Sequence, residues 1–241
     1  MTALLLHGLA DAAAPAPEDA APHLRVLAAG LVALCTPLEA MPETEEEAVA
    51  GALAHNALLV AQARLGDVLP VRFPTGFSGE AALHAHLAAE GVRYRAGLAR
   101  IGGAREYGLR LALRPGSAPP AVSTDAPGVT GAGAPATSGR AFLERGRRRR
   151  DLRTESAAAR SRMAERLVSE AAGLAREAAP GTPRADRLVD LALLVPASGV
   201  DALRARAAAA AREAAGLGLD LALTGPWPPY SFAGLGEATH G

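Results

Sequence analysis

The chain lacks several of the residues and segments that define common classes of protein. The chain has no lysine: all 25 of its basic residues are arginine. The absence of lysine excludes Schiff-base chemistry at a lysine and a Walker-type phosphate loop. Its single cysteine, Cys35, excludes an internal disulfide and suits a reducing compartment. There is no apolar run of about 18 residues and no basic segment at the N-terminus, so we expect neither a membrane span nor a signal peptide.

Aromatic residues are also scarce, at 3% of 241 residues, although 49% of the chain is hydrophobic. The core must therefore consist mainly of leucine, valine and alanine. Acidic and basic residues cancel at 25 each, which argues against a general affinity for nucleic acid or anionic membrane. The charges are unevenly distributed along the chain. Residues 1–60 are acidic, with eight acids and one arginine, Arg25, whereas residues 139–178 are basic, with eleven arginines and six acids.

The first part of the chain alternates between strand and helix patterns. Ala3–Leu9 predicts a strand, and the break at Ala29-Gly30 predicts a hairpin within Leu24–Cys35. Thr44 followed by Glu45, Glu46 and Glu47 is typical of a capping box. The face predicted to be buried on the following helix comprises Val49, Ala52, Leu53, Asn56, Val60 and Ala63.

The stretch Val68–Phe77 (VLPVRFPTGF) predicts a short buried strand in the middle of a sheet. A second helix follows Ser78 and ends at Gly102-Gly103, and its predicted apolar face comprises Leu83, Leu87, Gly91, Tyr94, Leu98 and Ile101. Arg105–Arg114 alternates strictly and predicts a half-buried strand. This order predicts a ferredoxin-like α+β domain with an extra strand over residues 1–114.

Composition divides the rest of the chain. Residues 115–138 are rich in Gly, Pro, Ala, Ser and Thr, and we interpret them as a flexible linker. Residues 139–232 predict a helix-rich α/β C-terminal domain. It would begin with a long arginine-rich helix to about Ala179, followed by a strand over Leu188–Val195. An Ala-rich helix from Ser198 to about Ala215 and a strand with alternating leucines from Leu217 to Leu223 would complete it. Residues 233–241 form a tail.

No set of residues forms a convincing catalytic, metal or nucleic-acid site. His84 and His86 point to nearly opposite faces of a helix, and His55 has no second ligand at i+4, so no metal is expected. Arg147–Arg150 lacks interleaved aromatic residues apart from Phe142. A solvated helix face is the favoured interpretation, ahead of a contact with an acidic protein surface and of a nucleic-acid site. No cofactor is expected, and no Ser/His/Asp set or carboxylate pair suggests an enzyme.

Arg72 is the single charge within the apolar stretch 68–77, and a buried, unpaired charge is very costly. One interpretation is that Arg72 reaches water at a strand edge; the other is an ion pair or a contact with a partner. We favour a buried network of Arg72 with His55, Asn56 and Glu106. The segment Thr224–Phe232 (TGPWPPYSF) is stiff and aromatic; it could be a ligand for an SH3-type groove, although docking on its own fold is the favoured interpretation.

Three segments together resemble the gas vesicle protein GvpF/GvpL family. Leu53–Phe77, with LAHN and VLPVRFPTGF, continued by Glu106–Arg110, resembles the N-terminal domain of that family, although Pro74 stands where the family has glycine. The ending LTGPWPPYSF is similar to the family's C-terminus, and Gly139–Leu143 resembles the start of its second domain. The likeness covers nearly the whole chain outside the linker.

The resemblance implies an accessory protein of gas vesicle assembly, not an enzyme. It implies a location in the cytoplasm and at the gas vesicle, and binding to the small hydrophobic shell protein GvpA and to other accessory proteins, with no nucleic acid or membrane as partner. The candidate partner-binding residues are Arg72, Phe73, Trp227, Pro228, Pro229 and Tyr230, each of which could instead be structural. The alternative from another class is a small-ligand-binding sensor built on a ferredoxin-like domain.

Overall fold

A computed structural model describes residues 2–17, 23–116, 139–182, 184 and 186–234, with side chains in the long helix from residue 143 onward. The chain forms two antiparallel sheets covered by four helices, counted over these residues. The α+β class expected from the sequence is confirmed. None of the helices in the described ranges is both long and apolar enough to cross a bilayer.

The first sheet is centred on β1 (Ala3–Asp11). It has the order β2 (Leu24–Ala28), β3 (Leu31–Leu38), β1, β4 (Leu69–Pro70), and β5 (Gly76–Phe77) also pairs with β1. The predicted first strand and hairpin are confirmed, and the hairpin turns at Ala29 and Gly30, both at positive φ. Segment 68–77, however, is not a central strand. It forms two short edge strands on β1, because the prolines and the turn between them interrupt the ladder.

Helix α1 (Glu45–Leu65) begins with the predicted capping box: the Thr44 hydroxyl accepts a hydrogen bond from the Glu47 amide, and the Glu47 carboxylate accepts one from the Thr44 amide, both at 3.2 Å. The predicted buried face of this helix was wrong. Val49 and Leu53 are 53% and 66% exposed, whereas the helix buries His55, Leu58, Leu59 and Gln62. Its abundant alanines give little contrast between faces, so periodicity alone chose the wrong one.

Helix α2 (Glu80–Ile101) matches its prediction more closely. The predicted apolar face is buried at Leu83, Leu87, Gly91, Tyr94 and Ile101, and Leu98 packs against the same core while partly exposed. The difference from α1 is that leucine and aromatic residues recur at helical spacing here, so that a single face carries most of the apolar surface.

The second sheet contains β6 (Ala104–Leu113), β7 (Glu177–Pro180), β8 (Arg187–Pro196) and β9 (Leu219–Trp227), in the order β7-β8-β6-β9. Helix α3 (Gly139–Leu174) follows β6, and α4 (Val200–Gly216) follows β8. The resulting β-α-β-β-α-β order with this pairing is the ferredoxin-like arrangement. The sequence had placed that arrangement, and the strand at 105–114, in the N-terminal domain; β6 is instead an inner strand of the second sheet.

The two sheets are tied together at the start of β6. The core of the first sheet includes Ala104, the first residue of β6, together with Leu194 and Phe232 from the second half of the chain. The Arg105 guanidinium, which lies at the beginning of β6, bonds to the Asp67 carboxylate beyond the end of α1. The division at residues 114 and 139 remains a prediction, but the second sheet contains strands from both sides of it, since β6 precedes residue 114 and β7, β8 and β9 follow residue 139. Residues 117–138 of the predicted linker and 235–241 of the tail lie outside the described residues.

Candidate partner-binding surface

An open cleft of about 560 Å³ lies between α1, the loop after β4 and residues 228–234, which we call the C-terminal segment. We call it the aromatic cleft and define it by His55, Asn56, Arg72, Phe73 and Tyr230. Its walls come from three distant parts of the chain, so the cleft exists only in the folded protein. The residues that form it include three of those that the sequence suggested for partner binding.

The loop that carries Arg72 and Phe73 is held on β1 by backbone hydrogen bonds at both ends. The Val71 amide donates to the His7 carbonyl at 3.0 Å, and the Leu6 amide donates to the Thr75 carbonyl at 2.8 Å. Between these bonds the chain leaves the sheet, so that the Arg72 side chain is exposed. The Phe73–Pro74 peptide bond is cis.

Phe73 packs over a gap in α1 that is left by Gly51. A Cβ atom at Gly51 would lie 2.6 Å from the Phe73 Cζ atom, so glycine allows the ring to rest on the helix. The same ring lies 5.5 Å from the His55 ring between centroids. Phe73 is consequently half-buried, with one side on the helix and the remainder facing the cleft.

The C-terminal segment is bound to β6 by a half-buried carboxylate. Glu106 accepts hydrogen bonds from the Ser231 amide at 2.7 Å and from the Ser231 hydroxyl at 2.8 Å. Burial raises the pKa of Glu106, and the two bonds from Ser231 oppose that rise. Just before this segment, Gly225 has a φ of +116°, and a Cβ atom there would lie 2.7 Å from the Glu106 carbonyl, so only glycine fits this turn.

Tyr230 completes the cleft from this segment. Its hydroxyl donates a hydrogen bond to the Asn56 Oδ1 atom at 3.0 Å, and its ring lies 6.2 Å from that of His55. Burial, with the nearby charge of Glu106, raises the pKa of Tyr230 to about 12. The phenol therefore stays neutral and acts as a hydrogen-bond donor at any physiological pH.

A buried histidine pair supports the floor of the cleft. The Nδ1 atoms of His7 and His55 lie 3.1 Å apart, and His7 Nε2 lies 2.9 Å from the Thr36 hydroxyl. Burial, and for His7 also the neighbouring His55, lowers the pKa of each from 6.5 to about 4. Both rings are thus neutral near pH 7, and the Nδ1–H group of one ring donates a hydrogen bond to the Nδ1 atom of the other.

The cleft combines aromatic surface with one exposed cation. Arg72 is the charged residue that lines it, and within the described residues its guanidinium makes no ion pair. No cluster of three or more His, Cys, Asp or Glu residues in the part of the chain that the structure describes could hold a metal ion. Such a cleft is suited to contact an apolar or aromatic side chain beside a negative group.

The family model for "Gas vesicle synthesis protein GvpL/GvpF" matches residues 11–234. The chain belongs to the GvpL/GvpF family. A Gas vesicle protein L from Streptomyces sp. (strain CB03234) is 30% identical over 205 residues, which cover 83% of this chain and 75% of that protein.

Two crystal structures share the fold of this GvpL/GvpF member. GvpF from Anabaena sp. PCC7120 matches with a TM-score of 0.71 over 100% of both chains at 15% identity. GvpF from Microcystis aeruginosa matches with a TM-score of 0.65 at 15% identity, over 98% of this chain and 100% of that one. These likenesses support the α+β fold, while the family assignment rests on the sequence comparisons.

The structure separates the six residues that the sequence proposed for partner contacts. Arg72, Phe73 and Tyr230 meet in the aromatic cleft. Trp227 is 43% exposed at the end of β9, opposite Glu106, and does not line the cleft. Pro228 and Pro229 are buried, so in this structure they position the segment.

The predicted buried network around Arg72 was wrong. Arg72 is exposed, as in the interpretation of an arginine that reaches water from a strand edge. His55, Asn56 and Glu106 are hydrogen-bonded, but to His7, Tyr230 and Ser231 respectively. Sequence reasoning missed His7, whose only signal was a histidine inside the apolar strand ALLLHGLAD, and it missed the space that Gly51 provides for Phe73.

Proposed function

We propose that this GvpL/GvpF member assists the assembly of the gas vesicle shell by binding the hydrophobic shell subunit GvpA and other accessory proteins. The aromatic cleft is the proposed contact, and the proposed setting is the cytoplasm and the growing vesicle. The observation that carries the proposal is the meeting of Arg72, Phe73 and Tyr230, from segments far apart in sequence, at one accessible surface. Arginine and tyrosine are enriched among the residues that dominate protein–protein binding energy.

The cleft is well ordered by its own fold, which favours binding. Glu106 accepts hydrogen bonds from Ser231, Asn56 accepts one from Tyr230, and the absence of a side chain at Gly51 leaves room for the Phe73 ring. Side chains that are already positioned lose less entropy when a partner docks. A hydrophobic shell subunit has apolar surface that must be covered before it polymerises, and Phe73 and Tyr230 offer an apolar face of matching character.

We propose that the protein acts without a catalytic step. Burial raises the pKa of the Cys35 thiol to about 12, which makes this cysteine a poor nucleophile. The polar groups at the cleft are engaged in structural hydrogen bonds: Asn56 with Tyr230, and His55 with His7. These features support a binding surface in preference to a reactive centre.

The experiment is co-purification of the untagged protein with tagged GvpA produced in the same cells. Arg72→Ala and Phe73→Ala should each reduce the recovered protein by about tenfold, the loss typical of a strong interface residue. Because Arg72 is exposed and makes no ion pair among the described residues, Arg72→Ala should leave the melting temperature unchanged.

Arg64→Ala is the matched control, since Arg64 is an exposed arginine near the end of α1 and does not line the cleft. It should co-purify like the wild type. Equal recovery of the wild type, Arg72→Ala and Phe73→Ala would show that the cleft is not the contact with GvpA. If not even the wild type were recovered, GvpA would not be a partner of this protein.

A second candidate function is the binding of a small ligand. The volume of about 560 Å³ lies within the range of small-molecule sites. A thermal-shift screen against metabolites distinguishes the two functions: a ligand that raises the melting temperature of the wild type but not of Phe73→Ala favours a sensor, whereas no response together with co-purification of GvpA favours assembly.

A further inference from the structure

The N-terminal part of α3 extends away from the body of the protein. Every residue from 143 to 155 is exposed, and we call this stretch the basic projection. Further along the same helix, Arg160 Nε donates to the Leu217 carbonyl and Met163 is buried. At 1.5 Å per residue, the projection is about 20 Å long.

The basic projection is poorly stabilised by its own sequence. It carries Arg145, Arg147, Arg148, Arg149, Arg150 and Arg153. Three acids, Glu144, Asp151 and Glu155, lie among them, so the net charge of the projection is +3. Arg145 with Arg149 and Arg149 with Arg153 repel each other at i,i+4, whereas Glu144 with Arg148 and Arg147 with Asp151 attract each other at the same spacing. A helix exposed on all sides, with no packed face, is marginal in water. Because Leu152 is 50% exposed among these arginines, an acidic partner with an apolar patch would complement the projection.

The outer side of α1 has the opposite character. Val49 and Leu53, one helical turn apart, line a shallow groove of about 540 Å³ with Ala50. Glu45 and Glu46 border the same groove. We call this surface the acidic groove. It shares no lining residue with the aromatic cleft, and its exposed apolar side chains have no function in the core.

We propose that the basic projection of one copy docks in the acidic groove of a second copy of this chain. On the helix, Arg145, Arg148 and Arg149 lie on the same side as Leu152. These arginines would face Glu43, Glu45 and Glu46, and Leu152 would lie on Val49 and Leu53. Within the described residues, none of these three glutamates and none of Arg147–Arg150 forms an ion pair through its side chain. Both surfaces therefore retain their charge for an intermolecular contact.

A second copy explains both surfaces with one contact. A nucleic acid would satisfy the arginines but would leave the acidic groove and Leu152 without a role, and the chain's net charge is zero. Because the two surfaces differ, the contact is head-to-tail, and each copy can engage two neighbours. Association should therefore continue beyond a dimer unless the rotation between copies closes a ring. This inference is independent of binding through the aromatic cleft.

The test is the molar mass of the full chain in sedimentation velocity over a range of protein concentrations. At about 50 mM salt the wild type should form species larger than a dimer, and at about 500 mM salt it should return towards monomer, because screening weakens exposed charge pairs. Two neutralised variants test the two surfaces: Arg147→Gln/Arg148→Gln/Arg149→Gln/Arg150→Gln, and Glu43→Gln/Glu45→Gln/Glu46→Gln. Glu47 is kept because it caps α1.

Each variant alone should associate at least about tenfold more weakly than the wild type at low salt. Their equimolar mixture should form a one-to-one dimer and nothing larger, because each variant contributes one intact surface. The control is Arg64→Gln/Arg212→Gln, which removes two exposed arginines elsewhere and should associate like the wild type. Circular dichroism melting confirms that the variants are folded.

Four outcomes would overturn the inference. The first is a wild type that stays monomeric at all concentrations and salts. The second is association that both neutralised variants retain, and the third is a mixture that behaves like its separate components. The fourth is association that disappears on nuclease treatment, which would identify nucleic acid as the partner of the basic projection.

Discussion

The Tyr230 hydroxyl and the Asn56 Oδ1 atom are 174 residues apart in sequence and 3.0 Å apart in the structure. This hydrogen bond joins the C-terminal segment to α1 and closes one side of the aromatic cleft. It connects two of the three segments through which the sequence resembles the GvpL/GvpF family. Because Tyr230 is 39% exposed, the bond competes with water and should stabilise the fold only modestly.

The first prediction concerns this bond. Tyr230→Phe and Asn56→Ala should each lower the free energy of unfolding by about 1 kcal/mol. The double variant should cost less than the sum of the two, because a single interaction is removed in all three. Urea denaturation of the four proteins measures the coupling. Strict additivity would show that the two side chains do not interact in solution.

The second prediction concerns Gly51 and the seat of Phe73. Replacing an exposed helical glycine by alanine stabilises a helix by up to about 1 kcal/mol. Gly173→Ala in α3, where no atom lies within 4 Å of the new Cβ, should show that gain and bind GvpA normally. Gly51→Ala should show little or no gain, because its Cβ would lie 2.6 Å from the Phe73 ring and must displace it.

Displacement of the ring gives Gly51→Ala a second effect. It should weaken co-purification with GvpA although every residue of the cleft is still present. Urea denaturation and co-purification of the two glycine variants, side by side, check both effects. If Gly51→Ala were as stabilising as Gly173→Ala and bound equally well, the position assigned to Phe73 would be incorrect.

The third prediction concerns pH and the histidine pair. In the folded chain, the pKa values of His7 and His55 are lowered from 6.5 to about 4. Between these values the unfolded chain binds more protons than the folded one, so stability is fully present above about pH 6.5 and falls as pH drops towards 4. Each histidine contributes a slope of up to about 1.4 kcal/mol per pH unit in that window.

Urea midpoints measured between about pH 7 and pH 5 test this slope. His55→Gln should be less stable than the wild type at pH 7 and should show a shallower decline. His84→Gln is the control, since His84 is exposed on α2, and it should keep the wild-type slope. Equal slopes in all three proteins would contradict the assignment of neutral, buried histidines.

The fourth prediction concerns Arg105, which joins the two sheets. Its guanidinium donates to the Asp67 carboxylate at 2.9 Å and to the carbonyls of Ala63 and Gly66, at 2.7 and 3.1 Å, at the end of α1. A lysine cannot reproduce this fork of donors. Arg105→Lys should therefore lower the free energy of unfolding by about 2 kcal/mol, whereas Arg64→Ala should change it by less than about 0.5 kcal/mol. Equal stability of both variants would show that the guanidinium does not hold the sheets together.

The parts of the fold that the sequence predicted well depend on local chemistry. The capping box at Thr44, the hairpin at Ala29-Gly30 and the apolar face of α2 each depend on residues close in sequence. The strand at β6 was also recognised, but its sheet was not. The alternation at Tyr107, Leu109 and Leu111 indicates that one face of the strand is buried. The same alternation is expected whichever strands pair with it, so it does not identify the sheet.

The aromatic cleft could be predicted only in part. Motifs drew attention to Arg72, Phe73 and Tyr230, but their meeting depends on non-local contacts that no periodicity encodes. The burial of His55 in place of Leu53 on α1 was unpredictable for a related reason. A helix so rich in alanine can present several faces to a core, and the choice is made by the strand against which it packs.

The central claim is that the surface around Arg72 meets a gas vesicle protein in the cell. The most direct test places a photo-crosslinking amino acid at Arg72, and in a parallel strain at Arg64, in cells that are assembling gas vesicles. Irradiation should link position 72, and not position 64, to a gas vesicle protein identified by mass spectrometry. Absence of any adduct at position 72, or the same adducts at both positions, would contradict it.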